Sequence, residues 1–242
     1  MRYQTGGAFR RALEQRLRDQ SLTTGVPLVR LRKMVSFDRF LARLFQLAPQ
    51  AWVVKGGLAI QLRLGERART TKDIDLLALV DIDQVRSMLQ KAGRLDLGDY
   101  FHFTVAEPPD GLARTVGGVR YPVHSLLDGR TFDGFHLDVG TMDPMLDPVE
   151  YKEMPDLLAF ADIPPATVSC FPVTQQIAEK FHAYTRPHRL GEGSRIKDLV
   201  DIILLSQSSA VSSERLYRAL RATFEHAGTH PLPDSVPLPP QG

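Results

Sequence analysis

The sequence feature that most constrains the fold is a short apolar stretch that ends in two glycines. Residues 52–60 have the sequence Trp-Val-Val-Lys-Gly-Gly-Leu-Ala-Ile, which predicts a strand, a turn at Gly56 and Gly57, and the beginning of a helix. Glycine allows the backbone to approach a ligand closely, and a helix N-terminus favours anions. We therefore expect the backbone N–H groups of Gly56 and Gly57 to face an anionic ligand.

Two closely spaced aspartates follow this turn. Asp73 and Asp75 lie two positions apart, at the beginning of the apolar run 74–80. In a strand, this spacing places both carboxylates on the same face. Neighbouring carboxylates repel each other, which makes them poor structural elements and good ligands for hard divalent cations. A phosphate-binding turn beside such a pair indicates phosphoryl or nucleotidyl transfer.

The composition is that of an ordinary globular protein, and it excludes several other classes. The 242 residues, 43% hydrophobic and 24% charged, can form one large domain or two small ones around a substantial core. The single cysteine, Cys170, excludes an intramolecular disulfide and a cysteine-based zinc site, and we expect it to be buried. No apolar run has membrane-spanning length and no signal-peptide core is present, so we expect a cytoplasmic protein without membrane contact.

Hydrophobic periodicity predicts an α+β fold with a helical C-terminal half. Strands are predicted at 51–54, 74–80, 101–105, 119–126 and 131–140. Helices are predicted at 7–20, 27–48, 57–64, 83–92, 173–184, 195–205 and 213–224. We interpret the aromatic residues of the 27–48 helix as core, and Asp81 as the N-cap of the 83–92 helix.

Asp138 is an acidic residue among apolar ones on a predicted strand. Aspartate is depleted in strands, and its charge is costly to bury alone. Two interpretations are open: a third carboxylate for the Asp73–Asp75 pair, or an exposed acid at a strand end beside Gly140. His136 shares the face of Asp138, and we interpret it as structural.

Lys180 lies within the apolar stripe of the 173–184 helix. A lysine that faces inward requires an anionic partner, and a phosphate would supply one. The alternative is a lysine at the edge of the stripe whose ammonium group reaches solvent.

The 195–205 helix is predicted to be amphipathic, with an apolar buried face. The predicted buried face comprises Ile196, Leu199, Val200, Ile203 and Leu204. The opposite face carries Lys197, Asp198 and Asp201. Taken alone, this pattern indicates a solvated face on which Lys197 and Asp201, one helical turn apart, form an ion pair.

Two motifs resemble those of a known family. Lys-Gly-Gly-x-Ala at 55–59, followed by Arg-x-Thr-x-Asp-Ile-Asp-Leu at 69–76, resembles the signature of the AbiEii/AbiGii toxins, which include the MenT toxins. These are nucleotidyltransferases of the polymerase-β-like superfamily from bacterial toxin–antitoxin systems. Arg-x-Lys-Asp-x-x-Asp at 195–201 is similar to the second signature of that family. The superfamily more often has Gly-Ser at the turn, and Gly-Gly is the variant that this family shares.

The resemblance implies a polymerase-β-like mixed sheet flanked by helices, and a role for each site residue. Asp73, Asp75 and Asp138 would hold Mg²⁺ or Mn²⁺, while Gly56 and Gly57 would bind the triphosphate of an NTP. The remaining residues that the resemblance places at the site are Lys55, Arg69, Thr71, Lys180 and Asp198. Among these, Lys180 would contact the triphosphate, and Thr71 matches a position at which some family members are inactivated by phosphorylation.

The function that the resemblance implies is transfer of a nucleoside monophosphate from NTP to an RNA 3′ end, with the tRNA acceptor stem as the expected target. Such a reaction blocks translation, and the resemblance also implies a cognate antitoxin. Two alternatives stay open: a nucleotidyltransferase that adds AMP or UMP to a protein, and a binding module without catalysis. Nine arginines among residues 2–43 would suit an RNA backbone, or would lie spread over solvated helix faces.

We divide the chain into four parts. Residues 1–50 are expected to form helices that pack on the core, and residues 51–145 the nucleotidyltransferase core. Residues 146–228 would form a connector, with one or two short strands, and the helical half. Residues 229–242 are rich in proline and predicted to be a disordered or extended tail.

Overall fold

The computed structural model describes residues 1–108, 114–115, 118–141, 143–187 and 195–238. Within them the helices are α1 Gly6–Thr24, α2 Leu28–Leu47, α3 Gly56–Leu64, α4 Ile82–Arg94, α5 Val173–Thr185, α6 Ile196–Ser208 and α7 Ser213–Ala227. The strands are β1 Trp52–Lys55, β2 Ile74–Ala78, β3 Phe101–Val105, β4 Arg114–Thr115, β5 Gly118–Leu127, β6 Arg130–Thr141, β7 Glu150–Glu153 and β8 Thr167–Cys170. The predicted α+β class is confirmed.

One mixed sheet holds the fold together. Its strand order is β3-β5-β6-β2-β1-β8-β7, and β4 pairs with β5. The central strand β2 runs antiparallel to β1 and parallel to β6, while β5 and β6 pair as a long antiparallel hairpin. Strands β7 and β8 lie within the predicted connector and extend the sheet beyond β1.

Helix α2 packs on one face of this sheet, and the polar side chains of β6 lie on the other face. Phe37 and Phe40 are fully buried, and their rings lie 5.1 and 5.8 Å from the ring of Phe135 on β6. Because side chains alternate along a strand, Phe135, Leu137 and Val139 point toward α2, whereas Asp138 points to the opposite face. The prediction that the α2 aromatics are core is confirmed.

Capping explains where the N-terminal helices begin and end. The Thr5 hydroxyl accepts a hydrogen bond from the Ala8 N–H, and Gly25 terminates α1 in the left-handed conformation with φ of 73°. Asp81 occupies the predicted N-cap position of α4, but its side chain makes no capping hydrogen bond. Cys170 is buried as predicted, and burial raises the pKa of its thiol to about 11.

A buried ion-pair network joins α2 to the segment before β3. Arg43 is fully buried and donates to both carboxylate oxygens of Asp99, at 2.9 and 2.5 Å, and to the carbonyl oxygens of Leu95 and Phe101. Arg39 is also buried and pairs with Asp38. Two of the arginines that could have formed a basic surface are therefore enclosed in the core.

Arg43→Met is expected to lower the free energy of unfolding by about 3–5 kcal/mol, because the Asp99 carboxylate stays buried without its bidentate partner. Arg86→Met is the control, since Arg86 pairs with Glu107 where both side chains are at least half exposed. That exposed pair should be worth less than about 1 kcal/mol. Urea unfolding measures the free energy of unfolding of both variants. An equal decrease in the two variants would contradict a stabilising role for the Arg43–Asp99 pair.

The described part of the predicted tail, residues 229–238, forms neither helix nor strand and lies against α5. The Tyr184 hydroxyl donates to the Pro237 carbonyl at 2.8 Å, and Thr185 Oγ1 lies 2.8 Å from His230 Nε2. Residues 239–242 lie outside the described part. Among the described helices, none has the length and apolar character needed to cross a membrane.

Candidate active site

The sheet register places four charged residues in one row across four adjacent strands. Lys55 on β1 lies opposite Asp75 on β2, Asp75 lies beside Asp138 on β6, and Asp138 lies opposite Arg120 on β5. Side chains in register project from the same face of a sheet. The row is therefore a pair of neighbouring carboxylates with a cation at each end, on the face opposite α2.

This row forms the floor of a pocket of about 770 Å³, a size common for small-molecule sites. The pocket brings together all ten site residues expected from the sequence, namely Lys55, Gly56, Gly57, Arg69, Thr71, Asp73, Asp75, Asp138, Lys180 and Asp198. The structure shows where these residues lie, and their individual roles stay predictions.

The turn at Gly56 and Gly57 lies in close contact with the Asp75 carboxylate. Gly56 has a φ of 60°, and a Cβ atom built on it would lie 1.9 Å from Asp75 Oδ2. The Gly57 N–H donates to the same oxygen at 3.4 Å, and a Cβ on Gly57 would lie 2.8 Å from Thr71 Oγ1. The turn thus requires glycine for two reasons, a left-handed backbone and the close approach of side chains from the neighbouring strand and loop.

Gly56→Ala is expected to displace Asp75 and to weaken NTP binding at least about tenfold, because the new methyl group occupies the position of the carboxylate. Gly129→Ala is the matched control: Gly129 also has a positive φ, 70°, but a Cβ there meets nothing within 4 Å. Calorimetry with a non-hydrolysable NTP analogue measures the difference. Equal binding by both variants would show that the contact with Asp75 does not matter.

The carboxylates of the row have unusual electrostatics. Burial, together with the neighbouring charge of Asp138, raises the pKa of Asp75 to about 6. Asp73 lies nearer the pocket mouth, where His136 Nδ1 is 3.2 Å from Asp73 Oδ1. His136, expected to be structural, thus contacts a predicted site residue.

The donor set is suited to a divalent cation, although the side chains are not gathered around one point. Asp73, Asp75 and Asp138 supply carboxylate oxygens, the donors that Mg²⁺ and Mn²⁺ take. Within the described residues, no group of three or more Asp, Glu, His or Cys side chains is arranged to hold a metal ion. Instead, the guanidinium of Arg120 contacts both Asp138 and Asp73.

Lys55 was expected to assist the nucleotide, but its ammonium group is already paired. It lies 2.6 Å from Asp143 Oδ2 and 2.7 Å from Glu179 Oε1. Burial alone would lower the pKa of Lys55, but the carboxylates of Glu179 and Asp143 raise it above its usual value. Neither acid was predicted from the sequence, because Asp143 follows a strand and Glu179 lies on a helix without any distinguishing spacing.

The prediction for the faces of α6 was wrong. Asp198 and Asp201 are each 1% exposed, whereas Val200 and Ile203 are each 47% exposed and Ile196 is 41% exposed. The acidic face turns inward because α5 and the loop before β2 present cations to it. The expected Lys197–Asp201 pair is not among the ion pairs of the described residues, where Asp201 pairs with Arg69 and Lys180.

The inward face of α6 forms a network of three cations and two carboxylates. Lys180 Nζ lies 2.8 Å from Asp198 Oδ1 and 3.0 Å from Asp201 Oδ2. Arg195 pairs with Asp198 at 3.2 Å, and Arg69 with Asp201 at 3.1 Å. Lys180 thus faces inward as predicted, but its partners are these two carboxylates. Asp198 holds the lysine in place at the pocket wall.

Two exposed lysines at the pocket complete the charge pattern. Lys72 and Lys197 line the pocket and are exposed, and within the described residues neither makes an ion pair. Lys72 was not singled out from the sequence, since a lysine in a loop carries no periodic signal. As far as the described residues are concerned, both ammonium groups are available to an anion.

Comparisons with known proteins agree with this geometry. A family profile described as "Nucleotidyl transferase AbiEii toxin, Type IV TA system" matches residues 39–241. The fold is similar to that of MenT4, a nucleotidyltransferase toxin from Mycobacterium tuberculosis, with a TM-score of 0.63 and 18% identity over 86% of this chain and 68% of that one. It is also similar to an antigenic nucleotidyltransferase-like protein from Paracoccidioides brasiliensis, with a TM-score of 0.51 and 17% identity over 80% of this chain and 88% of that one.

A search of curated protein sequences finds no significant match. The two structural similarities, at low identity, concern the fold, while the family profile covers most of the chain and includes the whole row of charged residues and both signature motifs. The chain is therefore a nucleotidyltransferase that belongs to the AbiEii toxin family of type IV toxin–antitoxin systems.

Proposed function

We propose that this enzyme transfers a nucleoside monophosphate from an NTP to an RNA 3′ end, the acceptor stem of a tRNA, and thereby blocks translation. The observation that supports this most is the Asp75–Asp138 pair, in register across β2 and β6, beside the Gly56–Gly57 turn. A carboxylate pair next to a close-approach turn would supply the metal site and the triphosphate site that nucleotidyl transfer requires.

The aspartates of the pocket would hold Mg²⁺ or Mn²⁺. Such an ion would activate the attacking hydroxyl and stabilise the pyrophosphate that leaves. Asp75 and Asp138 are already adjacent, and Asp73 lies at the same pocket wall. The Gly56–Gly57 turn would bind the triphosphate, and Lys55 would act indirectly, as a fixed counter-ion beside Asp75.

The cations on the helical side of the pocket would neutralise phosphate charge. Lys180 is positioned by Asp198 and Asp201, and would help to offset the charge that develops on the leaving pyrophosphate. Lys72 and Lys197 are exposed at the pocket and would meet the phosphates of the incoming substrates. Exposed lysines that pair with none of the described acids suit a polyanionic acceptor such as RNA.

The family implies an antitoxin partner and an NTP substrate. We propose the bacterial cytoplasm as the place of reaction, since it holds NTP and tRNA together.

Thr71, a candidate for phosphorylation, is buried, and its hydroxyl donates to the Asp73 carbonyl oxygen at 3.0 Å. Modification there would break this hydrogen bond and put charge beside Gly57. Intact-mass analysis after co-expression with the neighbouring gene product tests this, and an unmodified Thr71 would reject it.

The decisive experiment incubates the purified protein with total tRNA, Mg²⁺ and each labelled NTP in turn, with Asp75→Asn as the inactive control. Label on RNA that is absent in the variant would support the proposed reaction and name the nucleotide. A parallel incubation with total protein tests the alternative of AMP or UMP transfer to a protein. Label on protein and none on RNA would overturn the RNA acceptor. No label in either, with no NTP binding, would favour a non-catalytic module.

A further inference from the structure

Arg120 occupies the position between two predicted metal ligands. Its Nε lies 2.7 Å from Asp138 Oδ1, and its Nη2 lies 2.6 Å from Asp138 Oδ2 and 3.4 Å from Asp73 Oδ2. The contact with Asp138 is a bidentate guanidinium–carboxylate pair, a strong and directional form of hydrogen bonding. Both oxygens that Asp138 could offer to a metal ion are therefore engaged by a side chain of the same protein.

The two cations at the ends of the charged row differ in how they are held. Lys55 is 17% exposed and is fixed by two acids outside the row, Asp143 and Glu179. The side chain of Arg120 is 41% exposed, and within the described part of the chain its ion pairs are all with Asp138 and Asp73. Lys55 is thus held in the row by acids outside it, whereas the ion pairs of Arg120 with described residues are all with carboxylates that are predicted to bind the metal ion.

The negative charges of Asp75 and Asp138 explain why the Arg120 guanidinium lies beside Asp138. Asp75 and Asp138 are neighbours in register, so two negative charges face each other across one strand pair. A cation at Asp138 reduces this repulsion. A divalent ion would do the same with twice the charge, and it would need the same Asp138 oxygens. A guanidinium and a divalent cation at the same two oxygens repel each other, so the ion weakens the bidentate contact.

We propose that Arg120 and the divalent metal ion are alternative counter-ions of Asp138. In the metal-free protein, Arg120 keeps the carboxylates in place and closes the metal site. When the ion binds, the guanidinium leaves Asp138 and moves to the pocket mouth. Arg120 is thus a positioning residue that lowers the metal affinity of the free enzyme. This inference rests on the proposed function, since it requires a divalent ion at Asp138.

The test measures metal affinity rather than activity. Mn²⁺ is titrated into the protein without NTP, and the free ion is followed by electron paramagnetic resonance. Arg120→Ala should bind Mn²⁺ about tenfold or more tightly than wild type, because a competing charge-assisted pair is gone. Lys72→Ala removes the same charge from the same pocket without touching Asp138, so it measures the general electrostatic effect. That control should change the affinity by less than about threefold.

A second readout follows the guanidinium itself. In ¹⁵N-labelled wild-type protein, the Nε–H signal of Arg120 should be protected from exchange with solvent while it donates to Asp138. Saturation with Mg²⁺ should remove this protection, and Arg120→Lys identifies the signal by its loss. Arg120→Lys also keeps the charge without the bidentate geometry, and should bind Mn²⁺ with intermediate affinity. It serves as the second variant if Arg120→Ala does not fold.

The outcomes separate this inference from the proposed function. The competition is refuted if, without NTP, Arg120→Ala binds Mn²⁺ no more tightly than Lys72→Ala. If wild type still binds Mn²⁺ when NTP is present, the metal-dependent function stands in that case. An Arg120 signal that stays protected at saturating Mg²⁺ would refute the competition in the same way. If no form binds Mn²⁺ with NTP present, the metal-dependent function fails, and the inference fails with it.

Discussion

Asp75→Asn is expected to abolish nucleotidyl transfer and, at the same time, to stabilise the metal-free protein. The variant keeps the shape of the side chain, but it removes a charge that the pocket would use to hold the metal ion, so activity should fall at least about 10³-fold. The pKa of Asp75 is raised to about 6 from an unperturbed 3.8, which means that its ionised form is unfavourable in the fold.

The pH dependence distinguishes this stabilisation from other effects. Since the folded protein binds the Asp75 proton more tightly than the unfolded chain, ionisation of Asp75 costs stability as pH rises from about 4 to about 6. Above pH 6 the full cost applies, at most about 3 kcal/mol for a shift of roughly two pKa units. Asp75→Asn should therefore raise Tm at pH 7.5 and leave it nearly unchanged at pH 4.

Thermal unfolding at both pH values, in EDTA, measures the effect, and transfer of labelled nucleotide measures activity. Asp83→Asn is the control, because Asp83 lies in the first turn of α4, away from the pocket. An Asp75→Asn protein that is inactive but less stable at pH 7.5 would show that the carboxylate contributes favourable contacts that outweigh its burial. An active Asp75→Asn protein would remove Asp75 from the proposed metal site.

Lys180→Met is expected to have the second largest effect, on both stability and activity. Lys180 is the cation that bridges Asp198 and Asp201, whose side chains are almost completely buried. Within the described residues, its loss leaves the two carboxylates with Arg195 and Arg69 as ion-pair partners, which should cost about 3–5 kcal/mol. Activity should fall about 10²–10³-fold if the ammonium group also stabilises the charge that develops on the phosphates.

A second substitution separates these two roles. In Lys180→Met combined with Asp198→Asn, one uncompensated charge is removed, so part of the lost stability should return. Activity should stay low, because the ammonium group is still missing. Lys197→Met serves as the control on the neighbouring exposed face, with a change in stability below about 0.5 kcal/mol. If activity returned together with stability, Lys180 would have a structural role only.

The buried acids of α6 show why this helix has an unusual surface. Asp198 and Asp201 point into the protein, where Lys180, Arg69 and Arg195 compensate them, and the apolar side chains on the other face remain partly exposed. Amphipathic periodicity finds the two faces of a helix, but it assigns the inner one by assuming that apolar residues seek the core. That assumption fails where a charged pocket, rather than a core, lies beside the helix.

The sequence by itself determined most of the secondary structure and a set of candidate residues that the fold brings to one pocket. Periodicity located the seven helices and five of the strands of the described residues to within a few residues, because alternation and helical spacing are local properties of the chain. It gave no positions for the short strands β4, β7 and β8. The ten predicted site residues line one pocket. Motif spacing along β1, α3 and β2 already brings the glycine turn next to Asp75, whereas Asp138, Lys180 and Asp198 are brought there by β6, α5 and α6.

Only the tertiary structure decided which charged side chains of the pocket form ion pairs with each other. Lys55 pairs with Asp143 and Glu179, which are distant in the chain, and Arg120 pairs with Asp138 on the neighbouring strand of the β5–β6 hairpin. Strand register and helix packing set these contacts, and neither leaves a periodic trace in the sequence. Electrostatic partners depend on distances of a few ångströms between separate elements. The sequence therefore pointed to ten of the residues that line the pocket, but not to Arg120, Asp143 or Glu179, nor to the ion pairs that they form.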